Sequence, residues 1–313
     1  MDIGLAYWGR DMYDGSDWLF YGAHEDRGFF CIRDFFRGAE RPGPGLQGAE
    51  TDFLKQRNAL AHQAAPLKDI AETYKLWRDR PFVVVGSGPS LEKDLDLIRD
   101  LVDRGAVVIT WNRSYKIVGK AKIFFAFDRM ILPEYWNWTD KHNCTLLTTP
   151  TAGGEVVDAK WKYMYGYRVP GEDGNMHEVK NSPKMKAWDW LEHGWITLTP
   201  VLHYCFKAGA SAVYMTGCDH CWNVRQDEDK KYHLGPYYAT YPDDVIQNGR
   251  HASGAVVKDS AGNYVGADPF NMRVAQFMEC IIHFAERAGM PVYKTQDFGL
   301  LHCPVRPLTE VIP

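Results

Sequence analysis

Short apolar runs alternate with amphipathic stretches through the middle and the end of the chain. The first run, residues 82–85, is rich in β-branched residues, which is typical of a strand buried on both faces of a parallel sheet. A glycine-rich turn follows, and then a stretch with apolar residues at helical spacing. The apolar face of this predicted helix consists of Leu91, Leu95, Ile98, Leu101 and Val102.

The same alternation continues towards the end of the chain. Further apolar runs predict strands at residues 106–110, 123–127, 144–148, 212–216 and 291–295. Helices are predicted near residues 200–208 and over residues 269–288. Strands that alternate with helices predict an α/β fold, here a Rossmann-like, doubly wound and mostly parallel sheet with helices on both faces.

The sequence divides into a core and flanking segments. The predicted units are an irregular aromatic N-terminal extension over 1–50, a helical lead-in over 51–80, a Rossmann-like nucleotide-binding domain over 81–300 and a tail over 301–313. Two irregular or polar stretches within the core domain, 151–195 and 222–268, are predicted insertions or a lid, because long loops inside compact domains are usually functional.

Composition and charge exclude several classes of protein. A hydrophobic fraction of 45% in 313 residues is enough for a folded core, so disorder is not expected. The net charge is -4 and no basic run is present, which argues against a nucleic-acid partner. No apolar run approaches the roughly 20 residues of a membrane span, and the N-terminus lacks the features of a signal peptide. A cytoplasmic protein is expected, and seven scattered cysteines do not suggest a disulfide framework.

The turn after the first predicted strand has the composition of a phosphate-binding loop. The residues predicted to contact phosphate are Gly86, Ser87, Gly88, Pro89, Ser90 and Leu91. Between a strand and a helix, backbone N–H groups and the positive end of the helix point towards a bound anion. The glycines permit a close approach, the proline suits the first helical position, and the serines can cap the helix or donate to a phosphate. A plain strand-to-helix turn is the alternative.

The turn differs from three familiar motifs. No Gly-Lys-Ser/Thr follows it, so it is not a P-loop. A dinucleotide fingerprint would place its third glycine at Leu91 and an acidic residue where Asn112 stands. The Gly-x-Ser-x-Gly elbow of serine hydrolases is also missing. The turn therefore predicts a mononucleotide or nucleotide-diphosphate ligand of another kind.

Polar residues follow the other predicted strands as well. In a doubly wound sheet the ligand lies beyond the carboxyl ends of the strands, so these residues should converge on one rim. Those predicted to contact a nucleotide are Asn112, Thr149, Gly217 and Thr295. Two carboxylates on the same rim, Asp128 and Asp219, could hold a divalent cation such as Mg²⁺ that bridges phosphates. Each of these residues also suits a plain turn or helix cap.

Histidine and cysteine residues suggest two further chemistries. His233 lies in a long polar segment and could act as a general acid or base, with a solvated surface histidine as the alternative. Cys218 and Cys221 have the spacing of zinc ligands, but no second Cys-x-x-Cys pair exists. A buried Cys218 at a strand end is therefore favoured over a zinc site.

Five segments carry a family resemblance: residues 83–91, 109–113, 127–128, 208–219 and 288–295. In order and spacing they resemble the motility accessory factor domain family, which includes flagellin glycosyltransferases and an archaeal hydroxymethylpterin pyrophosphokinase. The turn Gly-x-Gly-Pro-Ser-Leu is also similar to that of bacterial sialyltransferases with a cytidine-monophosphate sugar donor. The resemblance spans about residues 75–300, and the first 50 residues match nothing in it.

This resemblance implies a sialyltransferase-like Rossmann variant. The glycine turn would hold the donor phosphate and Asn112 would contact the nucleotide. Asp128 and Asp219 would lie near the reacting group, although the sialyltransferases have no aspartate in the place of Asp128. His233 is the nearest candidate for their catalytic histidine.

Three functions follow from these features. The leading hypothesis is a nucleotide-sugar-dependent glycosyltransferase with a cytidine-monophosphate-linked donor and a hydroxyl acceptor, in which His233 or one of the aspartates Asp128 and Asp219 deprotonates the acceptor. The second is an ATP- and Mg²⁺-dependent pyrophosphokinase acting on a hydroxymethyl compound, with Asp128 and Asp219 as metal ligands. The third is a non-catalytic nucleotide-binding protein. The aromatic N-terminal segment could recognise an acceptor or bury the interface of an oligomer, and these alternatives stay open.

Overall fold

The computed structural model describes the core of the chain together with several separate strands. The described residues are 7–10, 17–20, 68–126, 144–148, 161–164, 166–170, 176–179, 190–191, 196–234 and 254–313. The strands are β1 Tyr7–Arg10, β2 Asp17–Phe20, β3 Lys68–Asp69, β4 Pro81–Val85, β5 Val107–Trp111, β6 Ile123–Ala126, β7 Thr145–Thr148, β8 Trp161–Met164, β9 Gly166–Pro170, β10 Met176–Val179, β11 Trp190–Leu191, β12 Ala212–Thr216, β13 Val224–Gln226, β14 Tyr232–Leu234, β15 Ala255–Lys258, β16 Tyr264–Ala267 and β17 Val292–Lys294. The α-helices are α1 Leu91–Asp103, α2 Arg113–Val118, α3 Leu198–Lys207 and α4 Pro269–Arg287.

Eight strands form the central sheet, in the order β17-β12-β4-β5-β6-β7-β8-β3. Every neighbouring pair in this sheet is parallel. Helices α1 and α2 cover one face, and α3 and α4 cover the other. The predicted α/β, Rossmann-like fold is therefore confirmed.

Strand β4 shows why this sequence makes a sheet buried on both sides. Val83 and Val85 pack in the cluster that contains residues of α1 and α2. Phe82 and Val84 point to the opposite face, where they pack with residues of α3 and α4. All four side chains are fully buried, so the continuous apolar run is what a central parallel strand requires.

The order of the strands places a switch point beside β4. From β4 the chain adds β5, β6, β7 and β8 successively on one side. It then returns to the other side of β4, where β12 pairs with β4, and β17 pairs with β12. In open α/β sheets the ligand crevice lies at the carboxyl ends of the strands where the order reverses. Here that position is between β4 and β12.

Two segments outside the predicted strands differ from the sequence-based expectation. The helical lead-in over 51–80 is wrong for residues 68–73, which form β3 and a 3-10 helix, Ile70–Thr73, and residues 74–80 form turns. The Thr73 hydroxyl donates to the Ile70 carbonyl at 2.7 Å within this short helix. The predicted insertion over 151–195 contains β8, which is a member of the central sheet and not of an appendage.

Residues 301–313 were predicted as a tail, but they are folded against the core. The Lys294 amide donates to the Pro304 carbonyl at 2.9 Å, and the Arg306 amide donates to the Lys294 carbonyl at 2.9 Å. Leu308 and Val311 are buried in the cluster that includes α1. The boundary at residue 300 therefore cuts through one folded unit.

The described parts of the predicted insertion over 222–268 are two hairpins. Strands β13 and β14 pair with each other, as do β15 and β16. Backbone hydrogen bonds between Trp222 and Gly266, of 2.8 and 3.0 Å, connect the start of the segment to β16. A Cβ atom on Gly266 would lie 2.4 Å from Leu234, so the hairpins pack closely on one another. Within the described ranges, no helix is long and apolar enough to cross a membrane.

Candidate ligand site at the sheet switch point

Four neighbouring strands bring most of the predicted site residues to one rim. The turn at residues 86–90 follows β4, Asn112 follows β5, Gly217 and Asp219 follow β12, and Thr295 follows β17. Because these strands are parallel and adjacent, their carboxyl ends lie at the same edge of the sheet. Two other predicted members of the rim lie outside the described residues: Asp128 and Thr149.

The glycine turn packs against the end of β12, backbone to backbone. The Gly86 amide donates to the Thr216 carbonyl, and the Gly88 amide donates to the Gly217 carbonyl, both at 2.8 Å. A Cβ atom on Gly86 would lie 2.2 Å from the Gly217 oxygen. Gly217 has a φ of +63°, and a Cβ atom there would lie 2.7 Å from the Gly86 oxygen. Positions 86 and 217 therefore require glycine, because the two backbones approach so closely. The amides of Gly86 and Gly88 already have hydrogen-bond partners inside the protein.

The other members of the turn differ in exposure. Ser87 and Pro89 are half-buried, whereas Gly88 and Ser90 are buried. Leu91 begins α1 and is fully buried in the core. Its predicted role at a phosphate is therefore confined to its backbone, and Ser87 and Pro89 form the more open side of the turn.

A carboxylate from the opposite loop caps helix α1. The Ser90 amide donates to Asp219 Oδ2 at 2.7 Å, and the Ser90 hydroxyl donates to Asp219 Oδ1 at 2.6 Å. Asp219 is only 5% exposed, and a Cβ atom on Gly88 would lie 2.6 Å from its Oδ2 atom. An anion is thus already present at the positive end of α1, and it belongs to the protein.

Burial changes the proton affinity of this carboxyl group. Removal from water raises the pKa of Asp219 to about 6. The two hydrogen bonds from Ser90 and the nearby Lys294 ammonium oppose this increase, and the neighbouring Asp94 carboxylate adds to it. Burial is the largest of these causes, so the group titrates closer to neutrality than an ordinary aspartate.

The raised pKa of Asp219 predicts an unusual pH dependence of stability. Its ordinary value is 3.8, so between about pH 4 and pH 6 the folded protein binds a proton that the unfolded chain does not. The contribution of this group to the free energy of unfolding is therefore largest below this window and falls as pH rises through it. Asp219→Asn removes the titration. When the pH is lowered from about 7 to about 5, the free energy of unfolding of wild type should rise by about 1 kcal/mol relative to that of the variant.

Urea denaturation of both proteins at several pH values measures this difference. A difference in unfolding free energy that does not change with pH would show that the pKa of Asp219 is not raised.

A second buried acid, Asp94, which was not among the predicted site residues, lies beside the first. Asp94 is 6% exposed and accepts hydrogen bonds from three residues, one at the end of β12 and two directly after β17. The Thr216 and Thr295 hydroxyls donate to its Oδ2 atom at 2.8 and 2.6 Å, and Gln296 Nε2 donates to its Oδ1 atom at 2.9 Å. Asp94 thus joins α1 to the ends of β12 and β17.

A weak signal for Asp94 is present in the sequence. Leu91, Asp94, Ile98 and Leu101 are all buried residues of α1 and follow one helical face. A charged residue on an otherwise apolar face must find partners when the helix packs, because an unpaired buried charge is costly. Asp94 therefore marks a polar contact, although the spacing does not reveal its partners.

Asn112 has an unusual backbone and an unsatisfied side chain. Its φ of 49° and ψ of -133° lie outside the regions that most residues adopt. Its Oδ1 atom is buried and, within the described structure, has no hydrogen-bond partner. Strain and unsatisfied polar atoms cluster at functional sites, so this position is a candidate for ligand contact.

Two more buried polar atoms in the described ranges also have no hydrogen-bond partner: Thr110 Oγ1 in β5 and His220 Nε2 after β12. His220 has a φ of 52°, which few residues other than glycine adopt. Burial lowers the pKa of its imidazole to about 4, so the ring is neutral near pH 7.

His233 lies on β14 and pairs with a carboxylate of the same hairpin. Its Nε2 atom is 2.7 Å from Asp227 Oδ2, and its side chain is 59% exposed. The hydrogen bond with His233 is the main cause that lowers the pKa of Asp227. Among the described residues no hydrogen bond or ion pair joins His233 to the glycine turn. The structure therefore shows an oriented, accessible histidine, and its catalytic role stays a prediction.

The cysteines near the site are thiols. Cys218 and Cys221 are free, and burial raises the pKa of both well above the ordinary value. In the described part of the chain, no group of three or more His, Cys, Asp or Glu residues is placed to hold a metal ion. Because Asp128 is not described, the predicted Mg²⁺ pair of Asp128 and Asp219 stays a prediction.

No protein-family model and no curated protein sequence matches the chain. Among solved structures, the chain is similar to a MAf glycosyltransferase from Magnetospirillum magneticum AMB-1, with a TM-score of 0.55 and 14% sequence identity. The similarity covers 83% of this chain and 39% of that chain, so this chain spans about two fifths of that protein. At this identity the likeness shows the fold alone.

Proposed function

We propose that this protein is a nucleotide-sugar-dependent glycosyltransferase, with a cytidine-monophosphate-linked sugar as donor and a hydroxyl group as acceptor. The observation that carries the proposal is the glycine turn at the switch point between β4 and β12. Such a position is where open α/β sheets bind their ligands. Asn112, with a buried and unpaired amide oxygen, follows the adjacent strand β5.

The fold supports the same class of reaction. The solved structure to which the chain is similar bears the name of a glycosyltransferase, although only 39% of it is matched. A shared fold does not by itself determine a reaction. The choice of donor rests on the sequence resemblance to sialyltransferases through the Gly-x-Gly-Pro-Ser-Leu turn.

The proposed reaction has one bond-forming and one bond-breaking event. The turn and Asn112 bind the donor nucleotide, and the rim stabilises the phosphate as it leaves. The acceptor oxygen attacks the anomeric carbon, the bond between sugar and phosphate breaks, and a general base takes the acceptor proton. His233 is the proposed base, because Asp227 orients its ring as a carboxylate orients a catalytic histidine. Asp128 and Asp219 were the alternative bases in the sequence-based hypothesis.

Nucleotide binding is the first expected result. Thermal unfolding should shift upward with cytidine monophosphate, without a need for Mg²⁺, and not with uridine diphosphate or guanosine diphosphate. A ligand at 100 times its dissociation constant stabilises the folded state by about 2.7 kcal/mol, which moves the melting temperature by a few degrees.

The same panel separates the alternatives. Stabilisation only by ATP with Mg²⁺ would refute the glycosyltransferase and support a pyrophosphokinase that acts on a hydroxymethyl compound. No stabilisation by any nucleotide would contradict both activities.

The role of His233 predicts a selective loss of turnover. His233→Ala should lower the rate of sugar transfer by about 10²- to 10⁴-fold, the usual contribution of a general base, and leave the nucleotide-induced thermal shift intact. His302 offers a matched control, because its Nδ1 atom lies 2.8 Å from Glu279 Oε1 and its side chain is 63% exposed. His302→Ala should transfer sugar at the wild-type rate. Equal rates for both variants would remove His233 from the mechanism.

A further inference from the structure

The anion position at the start of α1 is filled from within the protein. Asp219 uses both carboxylate oxygens on Ser90, one on the amide and one on the hydroxyl. The Asp219 carbonyl accepts a hydrogen bond from the Leu300 amide at 2.9 Å, and a Cβ atom on Gly299 would lie 2.6 Å from that carbonyl. The residue is therefore fixed by its side chain and its backbone at the same time.

The surroundings of this carboxylate leave it little freedom to bind anything else. It is 5% exposed, and Gly88 lies so close that a methyl group there would contact its Oδ2 atom. The Gly217 amide donates to the Ser90 hydroxyl at 3.2 Å, so Ser90 links Asp219 to the loop after β12. A metal ligand or general base needs an oxygen that a cation or a substrate can reach, whereas both oxygens here face Ser90.

We propose that Asp219 is a positioning residue: it acts as a built-in hydrogen-bonding cap at the start of α1 and holds the glycine turn in its binding shape. The inference rests on the proposed function, and it changes the role of Asp219 from the metal ligand or catalytic base that the sequence suggested. The donor phosphate then contacts the open side of the turn, at Ser87, and does not replace the carboxylate at the end of α1.

Two substitutions at one position test this role. Asparagine keeps the shape of the side chain and can accept from the Ser90 amide, so Asp219→Asn should bind cytidine monophosphate within about threefold of wild type. Alanine leaves the end of α1 without a cap, so Asp219→Ala should bind at least about tenfold more weakly. Isothermal titration calorimetry with cytidine monophosphate, with and without Mg²⁺, measures both.

Asp268 provides the matched control. It caps α4 by accepting from the Asn271 amide at 2.6 Å and is 2% exposed, so its loss removes an equivalent buried cap. Asp268→Ala should be destabilised to a degree similar to Asp219→Ala and still bind the nucleotide within about threefold of wild type. This comparison separates positioning of the turn from general loss of stability.

Several results would overturn the proposal. Tighter binding by either Asp219 variant would mean that the carboxylate competes with phosphate for the end of α1. Wild-type affinity in Asp219→Ala would mean that the turn does not need the cap. A loss of Mg²⁺ binding in Asp219→Asn would identify Asp219 as a metal ligand. A fall in turnover of about a hundredfold in Asp219→Asn, with unchanged nucleotide affinity, would identify it as a general base. If wild type binds no nucleotide, the proposed function fails first, and this inference fails with it.

Discussion

Gly86→Ala is expected to cost more than about 4 kcal/mol of folding free energy, which is a large part of the stability of an ordinary domain. The new methyl carbon would lie 2.2 Å from the Gly217 oxygen and 2.7 Å from its carbonyl carbon. Both atoms belong to the backbone, and a hydrogen bond from the Gly86 amide to Thr216 holds the two loops together. The clash can be relieved only by separating β4 from β12. Urea denaturation followed by circular dichroism measures the loss.

Gly119→Ala is the control for this substitution. Gly119 has a φ of +84°, but a Cβ atom there would have no heavy atom within 4 Å. The variant should therefore lose only the roughly 1–2 kcal/mol that a left-handed backbone costs a residue with a side chain. Similar stability of the two variants would show that the loops after β4 and β12 do not pack as closely as described.

Asp94→Ala is expected to cost about 3–5 kcal/mol, because a buried donor that loses its acceptor costs about 1–3 kcal/mol and this carboxylate accepts from three donors. The substitution leaves the hydroxyls of Thr216 and Thr295 and the amide of Gln296 without their acceptor. Each donor that stays buried without a partner adds a penalty. Because Thr216 ends β12 and the other two donors follow β17, the edge of the sheet formed by β17 should loosen, and hydrogen exchange of the β17 amides should accelerate.

A neighbouring aspartate on the same helix is the control. Asp96 has a 99% exposed side chain and makes an ion pair of 3.3 Å with Arg99. Asp96→Ala should change the free energy of unfolding by no more than about 0.5 kcal/mol, because exposed ion pairs contribute little. An equal, small effect of both substitutions would contradict the network around Asp94.

The fold was predictable where the apolar pattern was continuous and well delimited. The run at residues 212–216 predicted β12 with its observed bounds, and the helix predicted over 269–288 is α4, Pro269–Arg287. Gly105, with a φ of +90°, separates α1 from β5 as a helix-ending glycine should. In these segments the local pattern and the tertiary structure require the same conformation, so the sequence was sufficient to predict the elements.

The internal contacts of the candidate site were not predictable in the same way. Asp219 and Ser90 were both named from the sequence, but as separate ligand contacts and not as partners of each other. Their pairing depends on the sheet order that brings β12 beside β4, and the spacing of residues along the sequence does not indicate that order. The lead-in prediction failed at residues 68–69 for a related reason, because this segment pairs as β3 with β8, a strand much later in the chain. Local propensity does not anticipate such a long-range pairing.

The late position of β12 in the chain has a consequence for synthesis. Strand β4 is central in the finished sheet, but until residues 212–216 leave the ribosome one of its edges has no neighbour. At about 5–20 residues per second, that apolar edge is uncovered for roughly ten seconds. Unpaired strand edges of this kind are templates for aggregation, so this interval is the one in which aggregation of the nascent chain is most favoured. The glycine turn takes its final shape only when the second half of the chain has arrived.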